Sequence, residues 1–329
     1  MSSTLPYFFL VYLTAFTLRT SPPQALSLSG FGITLAGAIL FSTKAIIVKL
    51  AFGSTHTDPL TLLTLRMIFS LPFYMAAAFL VSGRKDNVKM TRPEWLSVTA
   101  LGLCGYYLSS LFDFIGLQYI SAGLERLILF LYPSFAVFIS AYFFKQKIAA
   151  IQKVALLLTY TGIAIAYFGE LSLEAGNLNF YWGSFLVFIC AITYSIYIAG
   201  SGKVIPLIGA NKFTAYAMLA ATAGIFVHFA TTGNIRTLET SKELWIYGLV
   251  LAIISTVLPS FMISQGLKRI GSNNVAIISG IGPVSTILQA HFILNEKIFS
   301  EQIIGTALVI TGVLLIGWQR KLVKMEAVT

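Results

Sequence analysis

The sequence predicts an all-α integral membrane protein of ten transmembrane helices, arranged as two inverted five-helix repeats. Three observations carry that prediction. The first is composition. Of 329 residues, 57% are hydrophobic and 10% charged, with a mean hydropathy of +0.84. A soluble domain averages about 25% charged residues, so this chain has too little polar surface to clothe a water-soluble globule. The lipid bilayer is its solvent. The second is an internal repeat. Residues 116–166 laid over residues 266–316 without a gap set Gly116 on Gly266, Leu117 on Leu267, Ile120 on Ile270, Pro133 on Pro283, Lys147 on Lys297, Ile148 on Ile298, Thr161 on Thr311 and Gly162 on Gly312. The third is loop charge. Gln118-Tyr119 becomes Lys268-Arg269, whereas Lys145-Gln146 becomes Asn295-Glu296. A repeat with an odd number of crossings produces this reversal, because its second copy enters the bilayer upside down. Inverted repeats of this kind point to secondary transporters.

The elements follow in order. A spanning helix needs about 20 apolar residues, and helices are forced because lipid leaves no partner for an open backbone. Residues 1–29 form an N-terminal extension: the apolar run from Pro6 to Leu18 is short, no basic residue precedes it, and Ser21-Pro22-Pro23 separates it from the first span. The first repeat (30–168) then reads as spans at 30–51, 59–82, 95–118, 121–144 and 149–168. The first carries Lys44 and Lys49, the second follows Asp58-Pro59 and carries Arg66, and the third carries Asp113. The fourth carries Glu125, Arg126 and a mid-span Pro133, and the fifth is free of acids until Glu170 just beyond it. The second repeat (181–319) reads as spans at 181–200, 213–231, 244–267, 273–294 and 301–319, followed by a tail at 320–329.

Loop charge orients the chain. With residue 30 on the cytoplasmic side, the connections there hold Arg84, Lys85, Lys89, Arg92, Lys145, Lys147, Lys153, Lys203, Lys212, Lys268 and Arg269, and the tail adds Arg320, Lys321 and Lys324. The opposite side holds the bases Arg236, Lys242 and Lys297. This is the positive-inside bias, and it puts both termini in the cytoplasm. The net charge of +10 is therefore a topology signal and predicts no nucleic-acid partner. Cys104 and Cys190 lie inside apolar runs, so no disulfide framework or zinc spacing is visible. No P-loop, HExxH, GxSxG or dinucleotide motif occurs, and the loops are too short for a catalytic domain. Neither an enzyme nor a cofactor or metal is expected.

The segment Tyr119-Ile120-Ser121-Ala122-Gly123-Leu124-Glu125-Arg126-Leu127-Ile128-Leu129-Phe130-Leu131-Tyr132-Pro133 resembles the fourth span of bacterial EamA-type members of the drug/metabolite transporter superfamily. Asp58-Pro59 followed by Arg66 is similar to that family's second span. The endings Phe144-Lys145-Gln146-Lys147-Ile148 and Leu294-Asn295-Glu296-Lys297-Ile298 resemble its short polar hinges. The resemblance covers roughly residues 30–319 and implies ten helices, cytoplasmic termini in a bacterial inner membrane, and a central substrate cavity between the halves. The acidic residue usual in the hinge is Glu296 in the second copy but Gln146 in the first. The family exports amino acids, metabolites and drugs, so the resemblance names no single substrate.

Ionisable groups inside spans are costly, about 2.5–3.5 kcal/mol each at a helix centre. Lys49 lies near a helix end and reaches the interface. Lys44, Arg66, Asp113, Glu125 and Arg126 do not, and all five belong to the first repeat. At ~1.5 Å per residue they sit roughly 6–11 Å below the outer interface, at one depth in four helices. The second copy has Ile263, Val275, Ala276 and Tyr216 where the first has Asp113, Glu125, Arg126 and Arg66. Two readings stand side by side. One is an internal salt-bridge lattice of Asp113 with Arg126 and Glu125 with Lys44 or Arg66. The other is a substrate site facing the cavity, in which Glu125 and then Asp113 are the proton-coupling candidates. Tyr106, Tyr132 and Tyr194 extend the site as aromatic surfaces. The helical period puts Glu125, Leu129, Tyr132 and Ala136 on one face, and Tyr106, Ser109 or Ser110 and Asp113 on another. Pro133 and Pro283 are matched mid-span kinks suited to gating. Gly305, Gly312 and Gly317 suit close helix contact, including a homodimer interface. His228 and His291 read as packed or interfacial residues. The expected function is alternating-access export of a small organic solute, amino-acid-like or amphipathic, in exchange for protons. The alternatives are uptake of a nucleoside or sugar-derived metabolite by the same fold, and a membrane-embedded enzyme.

Overall fold

The computed structural model describes residues 27–83, 87–132, 134–135, 138–139, 150–171, 177–239 and 241–326. No strand occurs among them. The helices are α1 (Leu28–Thr55), α2 (Pro59–Ser82), α3 (Arg92–Gly116), α4 (Ala122–Leu129), α5 (Ala150–Leu171), α6 (Leu178–Ile208), α7 (Ala210–Thr232), α8 (Lys242–Gly266), α9 (Ile281–Leu294) and α10 (Ser300–Glu326). Seven of the described helices are long and apolar enough to cross a membrane, and α9 is a shorter apolar helix. Large apolar side chains such as Phe79, Leu80, Trp182, Phe185, Phe292 and Ile303 point outward. A water-soluble surface does not tolerate so broad an apolar belt. Pro133, Gln146 and the hinge at 144–148 lie outside the described residues, as does the extension at 1–26.

Local chemistry sets the helix ends. Asp58 accepts a hydrogen bond from the Thr61 amide, with Pro59 opening α2. Glu94 reaches back to the Thr91 amide at the start of α3. Ser121 caps α4 and Ser241 caps α8. His56 and Asn295 end α1 and α9 in the left-handed region, at φ 50° and 56°. Gly209, at φ 86°, is the single residue between α6 and α7. That backbone is strained for any side chain, so glycine alone turns the chain there at low cost.

Helical hydrogen bonding runs on from Leu258 to Ser279, yet the chain reverses inside that stretch. A methyl group built on Gly266 would lie 3.4 Å from Val275 Cγ2, whereas a straight helix separates residues nine apart by ~13.5 Å. The chain therefore bends back on itself between Gly266 and Val275, within the stretch that links α8 to α9.

The repeat extends beyond the segment in which it is visible as sequence identity. α1 and α6 start at Leu28 and Leu178, and α3 and α8 at Arg92 and Lys242. Each pair is 150 residues apart. Both third helices also contain a π-helical segment in the same register, at Leu103–Leu108 and Ile253–Val257. Such segments are rare, so a matched pair is a shared feature of two related units. Packing obeys the same exchange. α1 lies on α8 as α6 lies on α3, and α2 lies on α8 as α7 lies on α3. α2 packs on α7, α4 on α9 and α5 on α10.

α5 and α10 approach closely through glycines. Methyl groups built on Gly162 and Gly305 would lie 2.6 and 2.4 Å from each other's carbonyl oxygen, and one on Gly312 would lie 2.3 Å from Thr159 Oγ1. Gly305 and Gly312 are therefore taken up by a helix of the same chain.

The contacts also define two ends. The Leu28 end gathers Gly30 with Ile270, Ser82 with Tyr216, and Lys212 with Asn87. The Pro59 end gathers Lys49, Thr61, residues 117–122, Glu170, Thr237 and Glu296.

Candidate functional site

Helices of both halves enclose a cavity of about 180 Å³. Its walls differ. α1, α2 and α4 contribute Lys44, Arg66 and Arg126. α6 contributes Tyr194 and Tyr197, which face Tyr106 of α3 and Tyr132 just beyond α4. Toward the Leu28 end the lining continues through Ala38, Ile205, Thr214 and Ser264. At the Pro59 end the bundle is tied shut. Thr61 and Thr237 share a hydroxyl hydrogen bond of 2.7 Å. Glu170 accepts from the Ser121 amide at 3.1 Å and from its hydroxyl at 2.7 Å, and Glu296 accepts from the Ala122 amide at 3.1 Å. Two carboxylates thereby satisfy donors at the start of α4, where the helix dipole favours negative charge.

Six of the eight expected binding residues line the cavity: Lys44, Arg66, Tyr106, Arg126, Tyr132 and Tyr194. Asp113 and Glu125 do not. They are fully buried behind Lys44. The Lys44 ammonium lies 2.6 Å from Asp113 Oδ2 and 3.6 Å from Glu125 Oε1. The pairing differs from the expected lattice. Asp113 pairs with Lys44, and Arg126 pairs with neither acid among the described residues. Arg66 donates to Ser110 Oγ at 2.9 Å and stands over the Phe114 ring at 5.0 Å. Arg126 stands between Phe41 and Phe130, 5.5 and 5.9 Å from their centroids. The Nε atoms of Arg66 and Arg126 are buried with no hydrogen-bond acceptor among the described residues.

Two local departures from the 3.6-residue period shift Asp113 relative to Tyr106 and Tyr132 relative to Glu125. The π-helical turn at Leu103–Leu108 adds residues to one turn, so Asp113 rotates away from Tyr106. In α4 the helix tightens at its end: Leu131 donates to Ile128 and Ser134 to Leu131, both three residues back. Tyr132 and Leu129 therefore line the cavity beside Arg126, with Glu125 turned off that face. Ala136 and Pro133 lie outside the described residues. Pro283 is buried in the first turn of α9 and lines no part of the cavity.

The aromatic wall is continuous. Tyr132 meets Tyr194 edge-on at 5.3 Å, Tyr194 stacks on Tyr197 at 5.7 Å, and the hydroxyls of Tyr106 and Tyr197 are 2.7 Å apart. Tyr197, which the sequence places close to Tyr194 in the sixth span, also lines the cavity, as does Phe41, which was not among the expected site residues. Each lies three positions from one that was, Tyr194 and Lys44, so the helical spacing already carried the signal. Lys49 lies at the Pro59 end of the bundle. Its ammonium donates to Ile120 O at 2.6 Å and Leu117 O at 3.4 Å, closing the end of α3. His228 is half-buried, its Nδ1 3.0 Å from Tyr107 Oη, whereas His291 is exposed, its Nδ1 2.9 Å from Glu296 O.

The EamA-like transporter family model matches residues 28–168 and again 181–318. The chain is 30% identical over 286 residues to the uncharacterised transporter YcbK of Bacillus subtilis, covering 84% of this chain and 90% of that one. It is 24% identical over 283 residues to an uncharacterised transporter of Archaeoglobus fulgidus, covering 84% and 93%. A solved crystal structure superposes with a TM-score of 0.62 at 19% identity, covering 87% of this chain and 95% of the other. That likeness concerns the fold.

Proposed function

Because this chain belongs to the EamA-like transporter family, we propose that it is an alternating-access carrier of a small organic solute, exporting it across a bacterial inner membrane in exchange for protons. The transporter class and the multi-pass membrane setting follow from the family. The ten-span count, the division into repeats at 30–168 and 181–319, the cytoplasmic termini, the direction and the coupling are the proposal. One observation carries it: the cavity is built between two halves whose helices keep a common 150-residue register, and it is bonded shut at the Pro59 end while its lining runs on toward the Leu28 end. Rocking one half on the other would exchange which end is open. The basic loops make the Leu28 end cytoplasmic, so the geometry reads as an inward-facing state ready to load a solute for export.

In this reading Lys44, Arg66, Tyr106, Arg126, Tyr132 and Tyr194 contact the solute. Asp113 and Glu125 act from behind, through Lys44. Glu125 is the leading proton site, because Asp113 holds Lys44 at 2.6 Å while Glu125 stands 3.6 Å away. The test is transport in proteoliposomes under an imposed pH gradient. The expected result is saturable counterflow that the gradient accelerates, with the acceleration lost in Glu125→Gln and the counterflow kept. Proton-driven transport unaltered in Glu125→Gln would remove the coupling role, and a non-saturating flux would replace the carrier with a channel.

A further inference from the structure

The charges that face the cavity are all of one sign. Among its described lining residues are Lys44, Arg66 and Arg126 and no carboxylate. Lys44 is already held by Asp113 at 2.6 Å. Two arginines remain, 4% and 6% exposed, each with a buried Nε that lacks an acceptor among the described residues. A buried donor without an acceptor is costly, and a buried guanidinium without a counter-ion more so. The buried cluster, three bases against two acids, carries one uncompensated positive charge when all five groups are ionised. The same cavity is lined by Tyr132, Tyr194 and Tyr197, ring against ring.

Resting on the carrier reading, we infer that the transported solute is an organic anion with a flat apolar body. Its carboxylate or equivalent anionic group meets Arg126 and Arg66, and its body lies along the tyrosines. One such anion brings the cluster to neutrality and supplies the missing acceptors. An ammonium group finds no carboxylate in the wall, so an amine of the same shape is disfavoured and a zwitterion gains less than the anion. Gly282 shapes the site for this. A methyl group built on it would lie 2.5 Å from an Arg126 guanidinium nitrogen, so the bare backbone of α9 is what lets the guanidinium take its place.

The test uses the full chain, purified in detergent, and three probes that share one ring: 3-phenylpropionate, phenylalanine and phenethylamine. Binding is read as a thermal shift and as quenching of intrinsic fluorescence. The expected order is 3-phenylpropionate, then phenylalanine, then phenethylamine. Arg126→Gln lowers the affinity for 3-phenylpropionate by roughly 10- to 100-fold, the factor that a lost charge-assisted hydrogen bond accounts for, and Arg126→Lys restores part of it. Phenethylamine binding as tightly as the acid, equal binding of all three, or binding of none overturns the assignment. Because binding is read without transport, these outcomes stand apart from a failure of counterflow, which bears on the carrier reading itself.

Discussion

α1 and α6 occupy equivalent places in the two halves and begin 150 residues apart. At the same position one carries Lys44 and the other Tyr194, and both face the cavity. The contrast holds across the site. Arg66 answers to Tyr216, Asp113 to Ile263, Glu125 to Val275 and Arg126 to Ala276. Even the exception follows the pattern. Tyr132 of the first half answers to Gly282 of the second, and Gly282 is the backbone against which Arg126 lies. The scaffold is symmetric because helix packing repeats. The site is not, because one solute binds one way round, and a buried ion cluster placed twice would double a desolvation cost that only one copy offsets.

That comparison is open to direct attack. The largest effect is expected at the charged half. Asp113→Asn leaves the Lys44 ammonium with Glu125 at 3.6 Å, and breaking a buried pair in this way costs about 3–5 kcal/mol. Thermal unfolding in detergent would register it, and the double variant Lys44→Met/Asp113→Leu should recover much of the loss. A single variant as stable as the parent would mean that the ion pair does not hold the first half together.

A smaller effect is expected where the halves are alike. Gly305→Ala drives a methyl group to 2.4 Å from the Gly162 carbonyl, forcing α5 and α10 apart at roughly 1–3 kcal/mol. The cost should appear as lower thermal stability, with no change in solute preference. A change in preference instead would tie this contact to the site.

The smallest concerns a cap present in one half only. Ser121 accepts from the Leu124 amide at 3.0 Å and donates to Glu170 at 2.7 Å, whereas its equivalent is Gly271. Ser121→Ala should cost about 1 kcal/mol. If the Pro59 end opens as proposed, the variant should also react faster with an impermeant reagent at a cysteine introduced in place of Tyr132. Equal reactivity would remove the cap from the closing contacts.

Composition alone was enough to place the chain in a bilayer, since 10% charge cannot cover a soluble globule. Hydropathy located α2 and α3 closely, whereas α6 runs to Ile208 beyond the expected end at 200 and α9 starts at Ile281 where 273 was expected. α2 begins and ends at the expected Pro59 and Ser82, and α3 starts three residues before the expected Trp95, where Thr91 and Glu94 form the cap. The repeat offset, read from a handful of identities, extended to helix starts and π segments that no identity marks. The position of the candidate residues in the fold was partly legible. Charged groups in apolar runs are expensive enough that each marks a place of purpose, and six of the eight named residues meet in one cavity.

What the sequence by itself determined is therefore the solvent, the helices, the duplication and the residues that had to be accommodated. What only the tertiary structure decided is which of those residues face one another. A helical wheel assumes an even 3.6-residue turn, and the wide turn at Leu103–Leu108 and the tight one after Leu129 break that assumption. Partner choice among five buried charges is settled by rotations of this size, because ion pairing falls off over a few ångströms while neighbouring helical positions differ by about 100°. Asp113 took Lys44, and Arg126 was left with Phe41 and Phe130.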